Sequence, residues 1–234
     1  MTTLAIFGAG PGLGLSTARR FGKQGYEVAL VARREDRLRS FVNELTDDGI
    51  AARFVAADVS DRAGHQRLVE RLGPVDAAVI NGFADPEAIR PVRDIDVESM
   101  STVLDGAVLG PLSLTRLLLP GMLARGDGAI VYGFGGSARV PLPPLAGAGA
   151  AQAALRNYAL ALNLDLAASG VYIGALTIGA LIERSDAERT FDTDALARRG
   201  FEPERVDPDT LADLVWTMCT ERDTAERTVG ALAA

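Results

Sequence analysis

Apolar residues follow two alternating rhythms along the chain. Leu4-Ala5-Ile6-Phe7 is a short continuous run, stopped by a glycine-rich stretch from Gly8 to Gly14. Leu15, Ala18 and Phe21 follow at the spacing of one buried helical face, and Gly25 closes that segment. Val28 to Val31 is a second continuous run. Leu38, Phe41, Val42 and Leu45 then recur at i, i+3, i+4 and i+7, with Gly49 where a helix would end. A strand is predicted from Arg53 to Ala57, a helix face from Leu68, Val69 and Leu72, and a strand from Val75 to Ile80. A long helical stretch from Ser99 to Arg125 leads into the strand Ala129 to Tyr132. An alanine-rich helix from Ala146 to Ala168 leads into another from Val171 to Ile178. Asp207-Pro208 suits the cap and first turn of a helix through Thr220, and a last short strand is predicted around Thr228 to Leu232.

Runs apolar on both faces, separated by segments of helical period, predict an α/β fold: a parallel sheet with right-handed crossovers and helices on both sides. No repeat, low-complexity tract or linker interrupts the pattern, so residues 1–234 are read as one domain. The segment 183–207 is charged and weakly periodic, contains Pro203 and is followed by Pro208, and is read as a lid or insertion.

Composition narrows the class. Hydrophobic residues make up 48% of 234 positions, enough for a sizeable core. The 24 Lys+Arg against 31 Asp+Glu give a net charge of −7, which argues against a surface built for nucleic acid or anionic membrane. Cys219 is the one cysteine and His65 the one histidine, so no disulfide framework, Cys-cluster zinc site or two-His metal site is expected. His65 is expected on an exposed helix face, and the arginines between Asp61 and Arg71 on a solvated one. The start Met1-Thr2-Thr3-Leu4 carries no basic segment, and Arg116 interrupts the best apolar run short of the ~18 residues a membrane helix needs. A cytoplasmic protein is the expectation.

The glycine stretch Gly8-Ala9-Gly10-Pro11-Gly12-Leu13-Gly14 lies between the first strand and the first helix. Glycines there let backbone amides approach a ligand, and the helix N-terminus favours a diphosphate. Gly-x-Gly-x-x-Gly from Gly8 fails at Leu13, whereas Gly-x-x-x-Gly-x-Gly fits Gly8, Gly12 and Gly14. A plain strand–helix connection is the bland alternative. The second strand ends at Arg33-Arg34, where a dinucleotide fold often carries an acid for the ribose hydroxyl. Two guanidiniums there favour the 2′-phosphate of NADP(H) over NAD(H), unless both are solvated helix-start residues.

These features resemble the short-chain dehydrogenase/reductase family over nearly the whole length. Its Thr-Gly-x-x-x-Gly-x-Gly turn is similar to Phe7 to Gly14, with Phe7 in the threonine's place. Its adenine-contacting Asp-Val pair matches Asp58-Val59, and its Asn-Asn-Ala-Gly segment is similar to Ile80-Asn81-Gly82-Phe83. Leu119 to Met122 and Gly128 to Val131 continue the likeness. The resemblance implies a Rossmann-type doubly wound parallel sheet, a small-molecule substrate and a homodimer or homotetramer. It implies cofactor contacts at Gly8, Gly10, Pro11, Gly12, Leu13, Gly14, Arg33, Arg34, Asp58, Val59, Asn81, Gly82 and Phe83.

The catalytic group departs from that family. Its serine falls on Gly135, the tyrosine and lysine of its Tyr-x-x-x-Lys on Ala148 and Gln152, and its helical asparagine on about Ala107. Lys23 is the only lysine, so no Tyr-x-x-x-Lys exists in the chain. Tyr158 is about 240° round the helix from Gln152, and Tyr132 faces away from Gly135 by strand alternation. Ser137 and Gln152 are possible surrogates, the former equally an ordinary loop serine. Glu183 stands near the family's carboxamide-binding threonine, or is a solvated charge. Phe83, Phe134, Leu142 and the segment from Leu181 suggest an apolar pocket.

The expected function is therefore an NADP(H)-dependent oxidoreductase with a non-standard active site, acting on an apolar small molecule. Its proton would come from water or the substrate, as enone or imine reduction allows. The alternatives are a non-redox isomerase, lyase or cyclase, and a cofactor-binding sensor or partner protein.

Overall fold

Strand β1 (Thr3–Phe7) is buried at every position, as a strand covered on both faces must be. It belongs to a computed structural model that describes residues 2–81, 90–190 and 204–230. Parallel pairing continues through β2 (Glu27–Ala32), β3 (Ala52–Ala56), β4 (Ala77–Asn81), β5 (Gly128–Gly135), β6 (Val171–Ile178) and β9 (Glu226–Val229). The order is β3-β2-β1-β4-β5-β6-β9, a seven-stranded parallel sheet among the described residues. It is the helix-flanked parallel sheet that the periodicity predicts, in the Rossmann-like order that the resemblance implies.

Strand alternation divides the core in two. Leu4, Ile6, Val28 and Leu30 face α1 (Leu13–Gly22), α2 (Glu35–Asp47) and α8 (Pro208–Glu221), packing with Phe21, Leu38, Leu45 and Val215. Ala5, Phe7, Ile80 and Tyr132 face α3 (His65–Leu72), α5 (Gly110–Arg125) and α6 (Ala146–Asp165), packing with Leu72, Leu114, Met122 and Leu155. Phe21, Tyr26 and Trp216 meet edge to face at centroid distances of 4.9–6.0 Å, locking α1 to α8. Cys219 is buried on the same side.

Several boundaries differ from the periodic reading. The long helix begins at α4 (Val97–Leu104) because Asp96 and Ser99 form a reciprocal capping box, with Ser99 N donating to Asp96 Oδ1 at 2.7 Å. Asp105–Leu109 then forms a π turn before α5. Pro111 lacks the N–H that a regular helix would direct at Ala107, and an inserted residue relieves that conflict. Helix α6 stops at Asp165 rather than Ala168, because the Ser169 N–H and hydroxyl both donate to Leu166 O and close a turn. The last strand starts at Glu226, which pairs with Ala175. The Asp207-Pro208 start of α8 is as predicted, with Asp207 Oδ1 accepting from Asp209 N at 2.9 Å.

By length and composition, Val97–Arg125 is apolar enough to cross a membrane, with a mean hydropathy of 1.5 over 18 residues. Its Leu114, Leu118 and Met122 are packed into the core. His65 corrects an expectation. It opens α3 but is only 1% exposed, because its ring turns inward between Val59 O at 3.1 Å and Ser113 Oγ at 3.0 Å. Arg62, Arg67 and Arg71 are solvated as expected.

At the amino-terminal edge of the sheet, Arg222 ties two loops to the last turn of α8. It donates to Cys219 O, to Gly170 O at 2.9 Å and to Asp127 Oδ1 at 2.7 Å, from a left-handed backbone with φ 54°.

Candidate functional site

Strand order reverses between β1 and β4, so a crevice opens at their carboxyl ends, where α/β sheets bind ligands. The glycine turn fills one side of it. Gly8 and Ala9 donate to Val31 O at 2.9 and 3.1 Å, tying the turn to β2. Gly14 is needed for close packing: a Cβ there would lie 3.1 Å from Ala9 Cα. A Cβ at Gly10 would meet nothing within 4 Å, so the turn is open there. Among the described residues, no acceptor meets the Leu13 or Gly14 amide at the start of α1. Two free amides at a helix N-terminus beside open space suit a diphosphate. Pro11 is half-buried, and Gly12 is covered by the segment that follows β6.

That segment runs across the turn as a strap. It comprises β7 (Leu181–Ile182) and α7 (Asp186–Thr190), and β7 pairs in parallel with β8 (Arg205–Val206). A Cβ on Gly12 would come within 3.0 Å of Ser185 Cβ and 3.2 Å of Ile182 Cγ2. Arg184 anchors the strap to the start of α8, donating to Asp207 Oδ1 at 2.6 Å and Asp209 Oδ2 at 2.9 Å. Glu183 is half-buried and its N–H donates to Val206 O at 3.0 Å. Most of the expected lid, residues 191–203, lies outside the described residues.

Beside the turn, Arg33 and Arg34 stand exposed between β2 and α2. Arg34 is the N-cap of α2 with an extended backbone, and its guanidinium is 3.8 Å from Asp186. Arg37, one turn on, holds Asp186 bidentately at 2.5 and 2.6 Å. The sequence pattern names neither Arg37 nor Asp186 here. Arg37 was findable, since residues three apart share a helix face; Asp186 lies 149 residues away and carried no such signal.

The Asp58-Val59 pair lies on the loop after β3. Burial works to raise the Asp58 carboxyl, but the Ser60 amide at 2.9 Å and hydroxyl at 2.7 Å, with Arg33 and His65, leave it below its ordinary value. Val59 O receives His65 Nε2, and a Cβ on Gly110 would lie 2.3 Å from that oxygen. The start of α5, just after the π turn, is thus pressed against this loop.

Asn81 ends β4, and its Oδ1 is buried without a partner among the described residues. A Cβ on Gly133 would lie 3.0 Å from that oxygen, so the glycine makes room for the carboxamide. A buried oxygen lacking a donor is costly, and a ligand hydroxyl or amide would relieve it. Gly82 and Phe83, named with Asn81 from the sequence, lie outside the described residues.

Gly135 is the last residue of β5, and its N–H donates to Gln152 Oε1 at 2.7 Å. A side chain at 135 would begin 3.3 Å from that oxygen and 3.8 Å from Ser137 Oγ. Ala148 is buried one turn before Gln152, and Ala107 is buried inside the π turn. Gln152 is therefore engaged with the sheet through its oxygen. Tyr132 is fully buried with its hydroxyl on Thr115, and burial drives its phenol far above the ordinary value. Tyr158 packs on the same core face. Phe134 is a second correction: it is 2% exposed and stacks on Tyr132, because its strand position points into the core and not into a pocket. Leu142 is half-buried.

A family model described as short chain dehydrogenase matches residues 2–193. The chain belongs to the short-chain dehydrogenase/reductase family. It is 31% identical over 186 residues to a short chain dehydrogenase of Pseudocercospora fijiensis, a match covering 76% of this chain and 59% of that relative. It is 28% identical over 225 residues to an NADP-dependent 3-hydroxy acid dehydrogenase of Salmonella typhi, covering 92% and 88%. Among solved structures, an actinorhodin polyketide ketoreductase with NADPH superposes with a TM-score of 0.82 at 27% identity, covering 98% of this chain and 96% of that one.

Proposed function

We propose that this chain is an NADP(H)-dependent oxidoreductase whose carbonyl corner departs from the family pattern and which acts on an apolar small molecule. The observation that carries the reading is the cradle at the switch point: open space at Gly10, free amides at Leu13 and Gly14, and Arg33 and Arg34 alongside. The residues present fit the group. Leu13 and Gly14 would hold the diphosphate, Arg33 and Arg34 the 2′-phosphate, Asp58 and Val59 the adenine, and Asn81 Oδ1 would gain the donor it lacks. NADPH supplies a hydride when bound.

The chain's own part at the reacting end is orientation. Gln152 fixes the end of β5 through Gly135, and the Ser137 hydroxyl stands nearest as a donor to a substrate oxygen. Neither group titrates near neutrality, so the proton for the product comes from water or the substrate, which suits an enone or imine. We further propose a homodimer or homotetramer, a cytoplasmic location, and residues 183–207 as a lid over one domain.

A second reading is favoured by the same corner: with Gln152 engaged and alanine at 148, the fold would bind the dinucleotide for non-redox catalysis or sensing. Titrations with NADPH and NADH, followed by incubation of C4-deuterated NADPH with enones and imines, separate these. Saturable NADPH binding with deuterium in the product supports the oxidoreductase. Binding with deuterium retained across the panel supports the second reading, and no binding of either dinucleotide removes both.

A further inference from the structure

The strap and the start of α2 meet at an ion pair whose position bears on cofactor choice. Asp186 opens α7 and reaches across the glycine turn to Arg37, contacting both its terminal nitrogens at 2.5 and 2.6 Å. Arg34 approaches the same carboxylate at 3.8 Å. The Arg37 guanidinium is also steadied by the Phe41 ring, 5.5 Å from its centroid. A planar guanidinium takes a carboxylate or a phosphate through the same two-pronged geometry. The carboxylate therefore occupies, on these arginines, the face that a phosphate would use.

We infer that Asp186 is a specificity-determining residue that competes with the 2′-phosphate of the dinucleotide for Arg34 and Arg37. The inference rests on the dinucleotide reading proposed above. The strap does not need Asp186 to stay in place: Arg184 ties it to Asp207 and Asp209, Glu188 pairs with Arg205, and β7 pairs with β8. Binding the extra phosphate would then displace the Asp186 side chain from these guanidiniums while those ties hold the strap. Its pair with Arg37 is partly exposed, with side-chain exposures of 20% and 53%. Such pairs contribute little, so release corresponds to about a two- to fivefold change in affinity.

The test is calorimetry of the full chain and Asp186→Asn with NADPH, NADH and adenosine 2′,5′-bisphosphate, with Asp36→Asn as a control. Asp36 is an acid in the first turn of α2, so its loss changes the local field by the same charge. Asp186→Asn is expected to bind NADPH and the bisphosphate about two- to fivefold tighter at low salt, with NADH unchanged and the gain lost near 0.5 M salt. Unchanged or weaker NADPH binding overturns the inference, as does an equal gain in Asp36→Asn. If the unaltered chain binds neither dinucleotide, the cofactor reading has failed; if it binds NADPH and Asp186→Asn matches it, only the competition has failed.

Discussion

The Gln152 carboxamide and the Gly135 amide are joined by a 2.7 Å hydrogen bond between α6 and the end of β5. A glutamine accepts there where a lysine, with donors only, could not. The glycine leaves 3.3 Å between a would-be Cβ and the accepting oxygen. Position 135 has room for a side chain only if residue 152 shifts, so the two positions are coupled.

Gly135→Ser, Ala148→Tyr and Gln152→Lys introduced together are expected to produce weak NADPH-dependent carbonyl reduction. Loss of 340 nm absorbance with a simple ketone measures it, and a general acid contributes ~10²–10⁴-fold. A triple variant that folds, binds NADPH and stays inert refutes the positional mapping.

Arg33→Ala should weaken NADPH about ten- to hundredfold, the scale of one hydrogen bond to a charged group, and leave NADH nearly unchanged. Arg33 is exposed and attracts the Asp58 carboxylate without a close ion pair among the described residues, so its loss disturbs little of the fold. Parallel titrations with the two dinucleotides check this, and equal losses would rule out the 2′-phosphate assignment.

Gly10→Ala is expected to keep its thermal midpoint, because the added methyl meets nothing within 4 Å. The same methyl would stand in the space assigned to the diphosphate, so NADPH and NADH should both bind at least about tenfold more weakly. A stable variant with unchanged affinity for both would move the cofactor elsewhere.

His65 gives a pH signature. Burial lowers its pKa below the ordinary 6.5, outweighing the raising effects of Val59 O and of Asp61 and Asp58. The unfolded chain therefore takes up the proton first as pH falls. Stability is full above the unfolded value and declines as pH drops through it toward the folded value. Urea midpoints should fall between about pH 7.5 and 5.5, and most of that slope should vanish in His65→Gln. An identical slope in the variant assigns the effect to other groups.

The parallel sheet was legible because its strands are buried on both faces and helices such as α1 and α2 carry one apolar stripe each; Leu4 to Phe7 and the Leu38–Leu45 face show both signals. The glycine turn was legible because its spacing encodes a close approach. What escaped notice depended on contacts between distant segments. His65 is polar and was placed outside, but its two ring nitrogens find Val59 O and Ser113 Oγ, and a fully paired imidazole can be buried. Asp186 is one acid among many until the strap crosses the turn and brings it to Arg37. The π turn escaped because periodicity sees Val97 to Arg125 as continuous, while Pro111 removes one donor inside it.

Arg222 sets where the polypeptide tolerates shortening. Its guanidinium clasps the junctions ahead of β5 and β6 and the carbonyl of Cys219, so a deletion stopping at Glu221 removes a fastener along with β9. The rim opposite the crevice would then gape while the glycine turn kept its own ties to Val31. Fusion partners and purification handles are accordingly better carried beyond residue 230 than traded for any part of the tail before it.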